Sequence, residues 1–331
     1  MEDINNPIVL QRADPFVLQQ EGQYYFTGSY PLYDRIILRI SNSLNGLKDA
    51  KEYTVWLKDS KGPKSELIWA PELHRVNNKW YIYYAAAPNT NIDDDTFNHR
   101  MYVLENESDN ILEGEWVDKG QIDTGWETFA LDATVFTLNN ELYYVWSQQD
   151  LNIKGHSNIY ISKMKNPWTL EGKITLLTVP EFEWEIKGFW VNEGPAILIK
   201  DEKIFLTYSA SATGIDYCVG MLSADISSDL LNAESWTKNK KPVFESSIEN
   251  KQYGPGHNSF TKSEDGKHDI IVYHARNYQN IKGDPLFDPN RHARAQVINW
   301  DENNNPQFGV PLPDNRWTPE TPEVLGGEVH E

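Results

Sequence analysis

The sequence contains a single cysteine, Cys218, among 331 residues. One cysteine excludes an intrachain disulfide framework and any zinc or iron–sulfur site built from several cysteines. No apolar run approaches the ~20 residues of a membrane-spanning helix. The first residues, Met1–Asn6, also lack the basic and apolar regions of a signal peptide. We therefore expect a cytoplasmic protein with no membrane partner, or a secreted one if a leader has been removed.

Basic residues are scarce as well. The chain has 30 Lys and Arg against 49 Asp and Glu, a formal net charge of −19. Nucleic-acid binding needs a surplus of Lys and Arg to neutralise phosphates, so we expect no nucleic-acid partner. Aromatic residues are abundant, with 12 Trp, 17 Tyr and 12 Phe. Rings in this number favour a neutral ligand on which they can stack.

Long helical patterns are rare, and short β-branched and aromatic runs recur instead, which is typical of an all-β protein. Five similar runs, each preceded by a second apolar strand and a polar turn, return about every 60 residues, at positions 24–29, 80–85, 142–147, 204–209 and 269–274. A repeat of this size that holds three or four antiparallel strands is a propeller blade. We predict one five-bladed β-propeller with blades at roughly 10–65, 66–128, 129–190, 191–252 and 253–310, and a tail at 311–331. The tail either closes the ring or is partly disordered, and a β-sandwich is the alternative fold.

The residues ten to twelve positions before these runs are the candidates for a functional site. They are Asp14, Trp69 with Ala70, Asp132, Glu193 and His257. Because the first strand of every blade lines the central channel, residues at its beginning should meet in one cavity at that channel. Each residue alone has an ordinary structural explanation, as a turn former, a loop carboxylate or a core ring. Their shared position in a fivefold repeat favours a site.

Three carboxyl groups in one cavity cannot all have the same pKa. Mutual repulsion and burial raise at least one pKa, which leaves a protonated acid beside ionised carboxylates at neutral pH. Glycoside hydrolysis requires that combination, because one carboxyl protonates the leaving oxygen while another activates water or attacks the sugar. The sequence thus favours a sugar-cleaving enzyme, with a non-catalytic sugar-binding or protein-interaction propeller as the alternative.

The residues at the head of each repeat resemble glycoside hydrolase family 43. The resemblance is carried by Arg12-Ala13-Asp14-Pro15-Phe16, Trp69-Ala70-Pro71-Glu72, Leu131-Asp132-Ala133-Thr134, Asn192-Glu193-Gly194-Pro195 and Gly256-His257-Asn258-Ser259. These segments cover all five repeats in order. The segment from Tyr273-His274-Ala275-Arg276 to Arg291-His292-Ala293-Arg294-Ala295-Gln296 is similar to the α-L-arabinofuranosidases of that family.

The resemblance implies an inverting mechanism with three carboxylates. Asp14 would be the general base that activates water, and Glu193 the general acid that protonates the departing oxygen. Asp132 would hold Glu193 in position and raise its pKa without exchanging protons. Asp14 and Glu193 should then lie ~6.5–9.5 Å apart, whereas ~5–5.5 Å would indicate retention.

Other site residues are implied in the same way. Trp69 would stack on the sugar, and His257 would lie on the channel axis beneath it, beside a cation or water. Arg294 would reach the substrate or the acid pair, with Arg291 and Arg276 as rivals. No cofactor is required, the histidines show no zinc-protease pattern, and a structural calcium near His257 is the metal that the resemblance allows.

The expected activity is therefore exo-acting release of terminal α-L-arabinofuranose from arabinan or arabinoxylan oligosaccharides. A β-xylosidase or an endo-arabinanase on the same scaffold stays open, since all would share the three acids. The segments at 86–99 and 277–291 are long enough to close one end of the channel into a pocket. A pocket suits a terminal sugar, and an open cleft suits internal cleavage.

Overall fold

The computed structural model describes residues 3–316, and nearly all of its regular structure is β-strand. The predicted five-bladed propeller is confirmed, because five antiparallel sheets each fall within one predicted repeat. The alternative of a β-sandwich is wrong. Within residues 3–316, no helix is long and apolar enough to cross a membrane.

Four of the blades have four strands each and the last has three. The first contains β1 (Ala13–Gln20), β2 (Gln23–Ser29), β3 (Arg35–Ser41) and β4 (Glu52–Leu57). The second contains β5 (Glu66–Val76), β6 (Lys79–Ala87), β9 (Arg100–Asn106) and β10 (Val117–Gln121), and a separate small hairpin of β7 (Ile92–Asp93) and β8 (Thr96–Phe97) lies in the connection from β6 to β9. The third contains β11 (Ala130–Leu138), β12 (Glu141–Gln148), β13 (Asn158–Asn166) and β14 (Thr169–Thr178).

The fourth blade contains β15 (Asn192–Lys200), β16 (Lys203–Ala210), β17 (Cys218–Asp225) and β18 (Thr237–Lys238). The fifth contains β19 (Tyr253–Lys262), β20 (Asp269–Arg276) and β21 (His292–Val297), followed by the short pair β22 (Asn299–Trp300) and β23 (Pro306–Gln307). Single turns of 3₁₀ helix lie at Asn45–Lys48, Glu183–Glu185, Ala233–Ser235 and Pro285–Phe287.

The core consists of apolar layers between neighbouring blades. Successive side chains of a strand point to opposite faces, so Trp80 and Ile82 of β6 pack towards the first blade while Tyr81 and Tyr83 pack towards the third. A fifth layer joins β20 and β21 to β1 and β2, and β19 contacts β1. The middle strands read as continuous apolar runs because both of their faces are buried.

The hairpins between inner and middle strands use tight turns. In the second and third blades the two turn residues are Asn77-Asn78 and Asn139-Asn140, all with positive φ between 49° and 63°. Positive φ at both positions defines the type I′ turn, whose twist matches the flanking strands, and asparagine tolerates it well. These turns fix the register that carries each inner strand back to the channel.

Every inner strand begins with an irregularity at the same place. The pairing register shifts there in all five blades, and one residue adopts a left-handed φ between 43° and 56°, namely Asp14, Ala70, Asp132, Gly194 and His257. A β-bulge re-aims the side chains around it. In the fourth blade the bulge residue is glycine, and a Cβ there would lie 3.2 Å from the His257 ring.

The N-terminal segment closes the ring against the fifth blade. Val9 forms an antiparallel bridge with Ala293 of β21. The Asn6 side chain donates to the carbonyl of Ala295 and accepts from its N–H, both at 2.8 Å. Residues 311–316 of the predicted tail also reach this junction, where Asn315 N–H donates to the Asn6 carbonyl at 3.1 Å. Residues 317–331 of that tail lie outside the described residues.

We predict that Asn6→Ala destabilises the protein without altering the channel. The change leaves the N–H and carbonyl of Ala295 without their side-chain partner in a buried place, which costs about 2 kcal/mol. Denaturant unfolding of both proteins measures the difference in the free energy of unfolding. The control is Asn42→Ala, because Asn42 is exposed, and its effect should stay within about 0.5 kcal/mol. Equal stability of the Asn6→Ala variant and the parent would contradict the closure.

Candidate active site

A cavity of about 240 Å³ opens at the heads of the inner strands, and all five blades contribute residues to its wall. Five of the six predicted site residues line it together: Asp14, Trp69, Asp132, Glu193 and His257. Arg294 is not among the lining residues. The shared position in the repeat therefore does bring these side chains to one place.

Hydrogen bonds between neighbouring blades hold the bulges at the cavity floor. A side chain near the end of a middle strand accepts a bond from the backbone N–H of the next blade's bulge residue. Three such bonds form, from Ala70 to Ser29 Oγ at 2.8 Å, from His257 to Ser209 Oγ at 2.7 Å and from Asp14 to His274 Nδ1 at 3.0 Å. A fourth links the third and fourth blades directly, because Gly194 N–H donates to the Asp132 carboxylate at 3.0 Å.

Asp14 is the carboxylate surrounded by donors and cations. Its Oδ1 lies 3.3 Å from His257 Nδ1 and 3.7 Å from Arg291 Nη1, and its Oδ2 accepts from Ser29 Oγ at 2.5 Å. Burial alone would raise the pKa of Asp14, but His257, His274 and Arg291 together outweigh it and hold that pKa below its ordinary value. Asp14 is therefore ionised at neutral pH.

Glu193 and Asp132 are shifted in the opposite direction. Burial raises the pKa of Glu193 to about 7, opposed by a hydrogen bond that Tyr217 Oη donates at 2.8 Å and aided by the negative charge of Asp14. Burial, Glu193 and Asp14 together raise the pKa of Asp132 well above its usual range. The two carboxyls thus retain a proton between them at neutral pH, beside an ionised Asp14.

The arginine at the cavity is Arg291, and the expectation for Arg294 is not met. All three guanidinium nitrogens of Arg294 are engaged elsewhere, with the Asp314 carboxylate and with the carbonyls of Ala275 and His292. Its side chain is fully buried in the fifth blade, where it anchors residues 311–316. Arg276 is also a structural residue, paired with Asp288 at 2.9 Å.

Arg291 is held in place by the first blade and by the segment that precedes it. Its Nη2 donates to Tyr33 Oη at 2.7 Å and to the Leu286 carbonyl at 3.0 Å, which leaves Nη1 towards Asp14. Residues Asp284, Pro285 and Leu286 of the same segment line the cavity. The long segment at 277–291 therefore forms part of the wall, as does the hairpin within 86–99 through Asp95, Thr96 and Phe97.

Trp69 is fixed by aromatic neighbours. It stacks on His99 with ring centroids 4.0 Å apart and meets the edges of Tyr33 and Phe97 at 5.8 and 5.4 Å. Burial lowers the pKa of His99 to about 3, so this imidazole is neutral. Its Nε2 lies 2.9 Å from the Leu67 carbonyl. The indole is a rigid wall of the cavity.

His257 faces two carboxylates, and the donor set around it does not fit calcium by itself. Its Nδ1 lies 3.3 Å from Asp14 Oδ1 and 3.8 Å from Asp132 Oδ2. Among residues 3–316, no three His, Cys, Asp or Glu side chains are grouped so that they could hold a metal ion. Calcium takes 6–8 oxygens, so carbonyls and waters would have to supply most of them. The calcium stays a prediction, and we assign no chemical step to it.

Three residues of the site were missed by sequence reasoning. Tyr217 carries no repeat signal, because it lies just before β17 and reaches Glu193 through the fold. His99 lies in a connecting segment between β8 and β9. His274 had a detectable signal, since it occupies the same position in its middle strand as Ser29 and Ser209 do in theirs.

Two curated bacterial proteins are similar to this chain over most of its length. An "Extracellular exo-alpha-(1->5)-L-arabinofuranosidase" from Streptomyces avermitilis is 50% identical over 310 residues, which are 93% of this chain and 64% of that protein. A protein of the same name from Streptomyces chartreusis is 48% identical over 281 residues, 85% of this chain and 84% of that protein. The chain thus spans less than two thirds of the length of the first relative.

The expectation of a cytoplasmic location is wrong. Both Streptomyces relatives are named as extracellular, which points to secretion. The expectation depended on the composition of Met1–Asn6. Six residues that precede the first blade do not determine the compartment of the folded protein.

A solved structure supports the same relationship. The α-L-arabinofuranosidase from Lactobacillus brevis is 51% identical and superposes with a TM-score of 0.93, over 96% of this chain and 99% of that one. The family model described as "Glycosyl hydrolases family 43" matches residues 4–306, from the N-terminal segment through all five blades. The predicted resemblance is confirmed, and the chain belongs to glycosyl hydrolases family 43.

Proposed function

We propose that this protein is an exo-acting, inverting α-L-arabinofuranosidase. The observation that carries the proposal is the opposite protonation of two carboxyls in one cavity, an ionised Asp14 and a Glu193 whose pKa is raised to about 7. A general base and a general acid are required together for hydrolysis with inversion. The arabinofuranosidase names of the relatives at 48–51% identity support the choice of sugar.

The reaction follows from these protonation states. Asp14 accepts a proton from water, whose oxygen forms the new bond to the anomeric carbon. The glycosidic bond breaks on the opposite face, and Glu193 donates its proton to the departing oxygen. Asp132 is the positioning residue, because its carboxyl accepts a hydrogen bond from the N–H of Gly194, the residue next to Glu193.

The shape of the cavity favours a terminal sugar. Its wall is built by residues of all five blades, and its volume of about 240 Å³ lies below the ~300–1,000 Å³ of drug-sized ligand sites. An encircled cavity of this size suits the end of a chain better than the middle of one. The names of the two Streptomyces relatives favour an α-1,5-linked arabinan end as substrate.

The first test is the removal of each carboxyl. Asp14→Ala and Glu193→Ala should each lower the turnover of α-1,5-arabinobiose, whose leaving alcohol needs a proton, by about 10²–10⁴-fold, the loss typical of acid–base catalysis. Circular dichroism controls for folding, and Glu264→Ala is a matched control at a carboxylate that lies outside the cavity. Near-normal rates in either variant would remove that residue from the mechanism. If the parent protein cleaves nitrophenyl β-xyloside faster than nitrophenyl α-L-arabinofuranoside, the result would favour a xylosidase instead.

The second test is the pH dependence of kcat/KM. Glu193 works in its protonated form, so the rate should fall as pH rises through about 7, while Asp14 stays ionised far into the acid range. Tyr217→Phe removes a hydrogen bond that favours the Glu193 carboxylate. The pKa of Glu193 should therefore rise, and the alkaline limb should move to higher pH.

The matched control for this test is Tyr278→Phe, which removes a similar tyrosine–carboxylate bond at Asp288. This variant should leave the alkaline limb where it is. A limb that stays in place or moves to lower pH in Tyr217→Phe would contradict the assignment of Glu193 as the acid.

A further inference from the structure

A stacked pair of rings lies at the cavity on the side of the predicted acid. Phe189 lines the cavity and stacks on His156 with ring centroids 3.7 Å apart and planes inclined by 16°. Phe189 precedes Glu193 by four residues on the approach to β15, and His156 comes from the loop before β13. The third and fourth blades therefore meet at this pair.

Hydrogen bonds fix the His156 ring and the backbone on both sides of the stack before any ligand arrives, and the Phe189 ring is held against His156 by the stacking contact. His156 N–H donates to the Trp190 carbonyl at 2.8 Å, and Trp190 N–H donates to His156 Nδ1 at 3.2 Å. Phe189 N–H donates to the Lys187 carbonyl at 2.9 Å. A ring fixed in this way loses little conformational entropy when a ligand stacks on it, which favours binding.

A carboxylate completes this part of the wall. Asp95, in the turn of the β7–β8 hairpin, lines the same cavity and is exposed. It is near enough to His156 to affect that imidazole electrostatically. An exposed carboxylate beside an aromatic face is suited to a sugar, because the ring accepts the apolar C–H face while the carboxylate accepts hydroxyl hydrogen bonds.

We propose that Phe189, backed by His156, binds the sugar unit that leaves, with Asp95 accepting one of its hydroxyls. The proposal rests on the proposed function. In that reaction the departing oxygen must lie at Glu193, and the water activated by Asp14 must lie on the opposite face of the arabinose. The sugar attached to that oxygen therefore extends along the side of the cavity where Glu193 and Phe189 share one stretch of chain.

The pair thus makes the enzyme selective for the leaving group. Stacking on an aromatic ring favours binding, so a substrate with a second sugar gains from Phe189, and a substrate without one does not. Methyl α-L-arabinofuranoside is the probe without a second sugar, since its methyl group presents no ring face to Phe189. A nitrophenyl glycoside is unsuitable here because its own ring could stack.

The experiment compares kcat/KM for α-1,5-arabinobiose and methyl α-L-arabinofuranoside in the parent and in Phe189→Ala. The variant should lose about 3- to 10-fold on arabinobiose and less than about twofold on the methyl glycoside, which lacks the stacking partner. Asp95→Asn should show the same selective loss. Phe189→Tyr, which keeps the ring, should restore the rate on arabinobiose.

The matched control is Phe182→Ala. Phe182 lies in the same connecting segment and stacks on Trp184 at 6.0 Å, but it does not line the cavity. Its loss should leave the ratio of the two rates unchanged. His156→Ala tests the pair a second time if Phe189→Ala folds poorly, as judged by its thermal midpoint.

An equal loss on both substrates, or no loss on arabinobiose, overturns the proposal and leaves the proposed function intact. A parent protein that cleaves neither substrate overturns the proposed function itself. A change in the ratio confined to Phe189, His156 and Asp95 supports the binding of the leaving sugar.

Discussion

A left-handed residue at the head of each inner strand is the constraint on which the site depends. The five residues, Asp14, Ala70, Asp132, Gly194 and His257, interrupt the pairing of their strands at the same point. Non-glycine residues rarely adopt this conformation, and it costs free energy that the surrounding structure must offset. Here the offset comes from hydrogen bonds between adjacent blades and from the apolar layers that close the ring.

The bulges also determine the electrostatics of the cavity. They bring three carboxyls together with different partners. Asp14 lies beside His257 and Arg291, whereas Glu193 accepts a hydrogen bond from the Tyr217 hydroxyl. Burial strengthens the effect of these partners on the two pKa values, because charges interact more strongly away from water. One fold thereby holds an ionised Asp14 beside Glu193, whose pKa is raised to about 7. Carboxylic side chains in water do not differ so widely in pKa.

The sequence predicted the architecture and the acids because both are repeated. Middle strands such as Trp80–Ala85 are buried on both faces, so their apolar character recurs in each blade, and the bulge position recurs with them. Residues placed by long-range pairing had no such signal. Arg291 and Arg294 lie only three positions apart. What distinguishes them is the ion pair that Arg294 makes with Asp314, 20 residues further along the chain. Tyr217 likewise reaches Glu193 only through the packing of the fourth blade.

We propose that Asp14 activates water on one face of the arabinose while Glu193 protonates the departing oxygen on the other. The stereochemistry of the product tests it most directly. Proton NMR spectra recorded during the first minutes of hydrolysis of an α-L-arabinofuranoside, before mutarotation, identify the anomer that is released. Inversion at the anomeric carbon gives β-arabinofuranose as the first product. Release of α-arabinofuranose would show retention, and would mean that a carboxylate attacks the sugar rather than activating water.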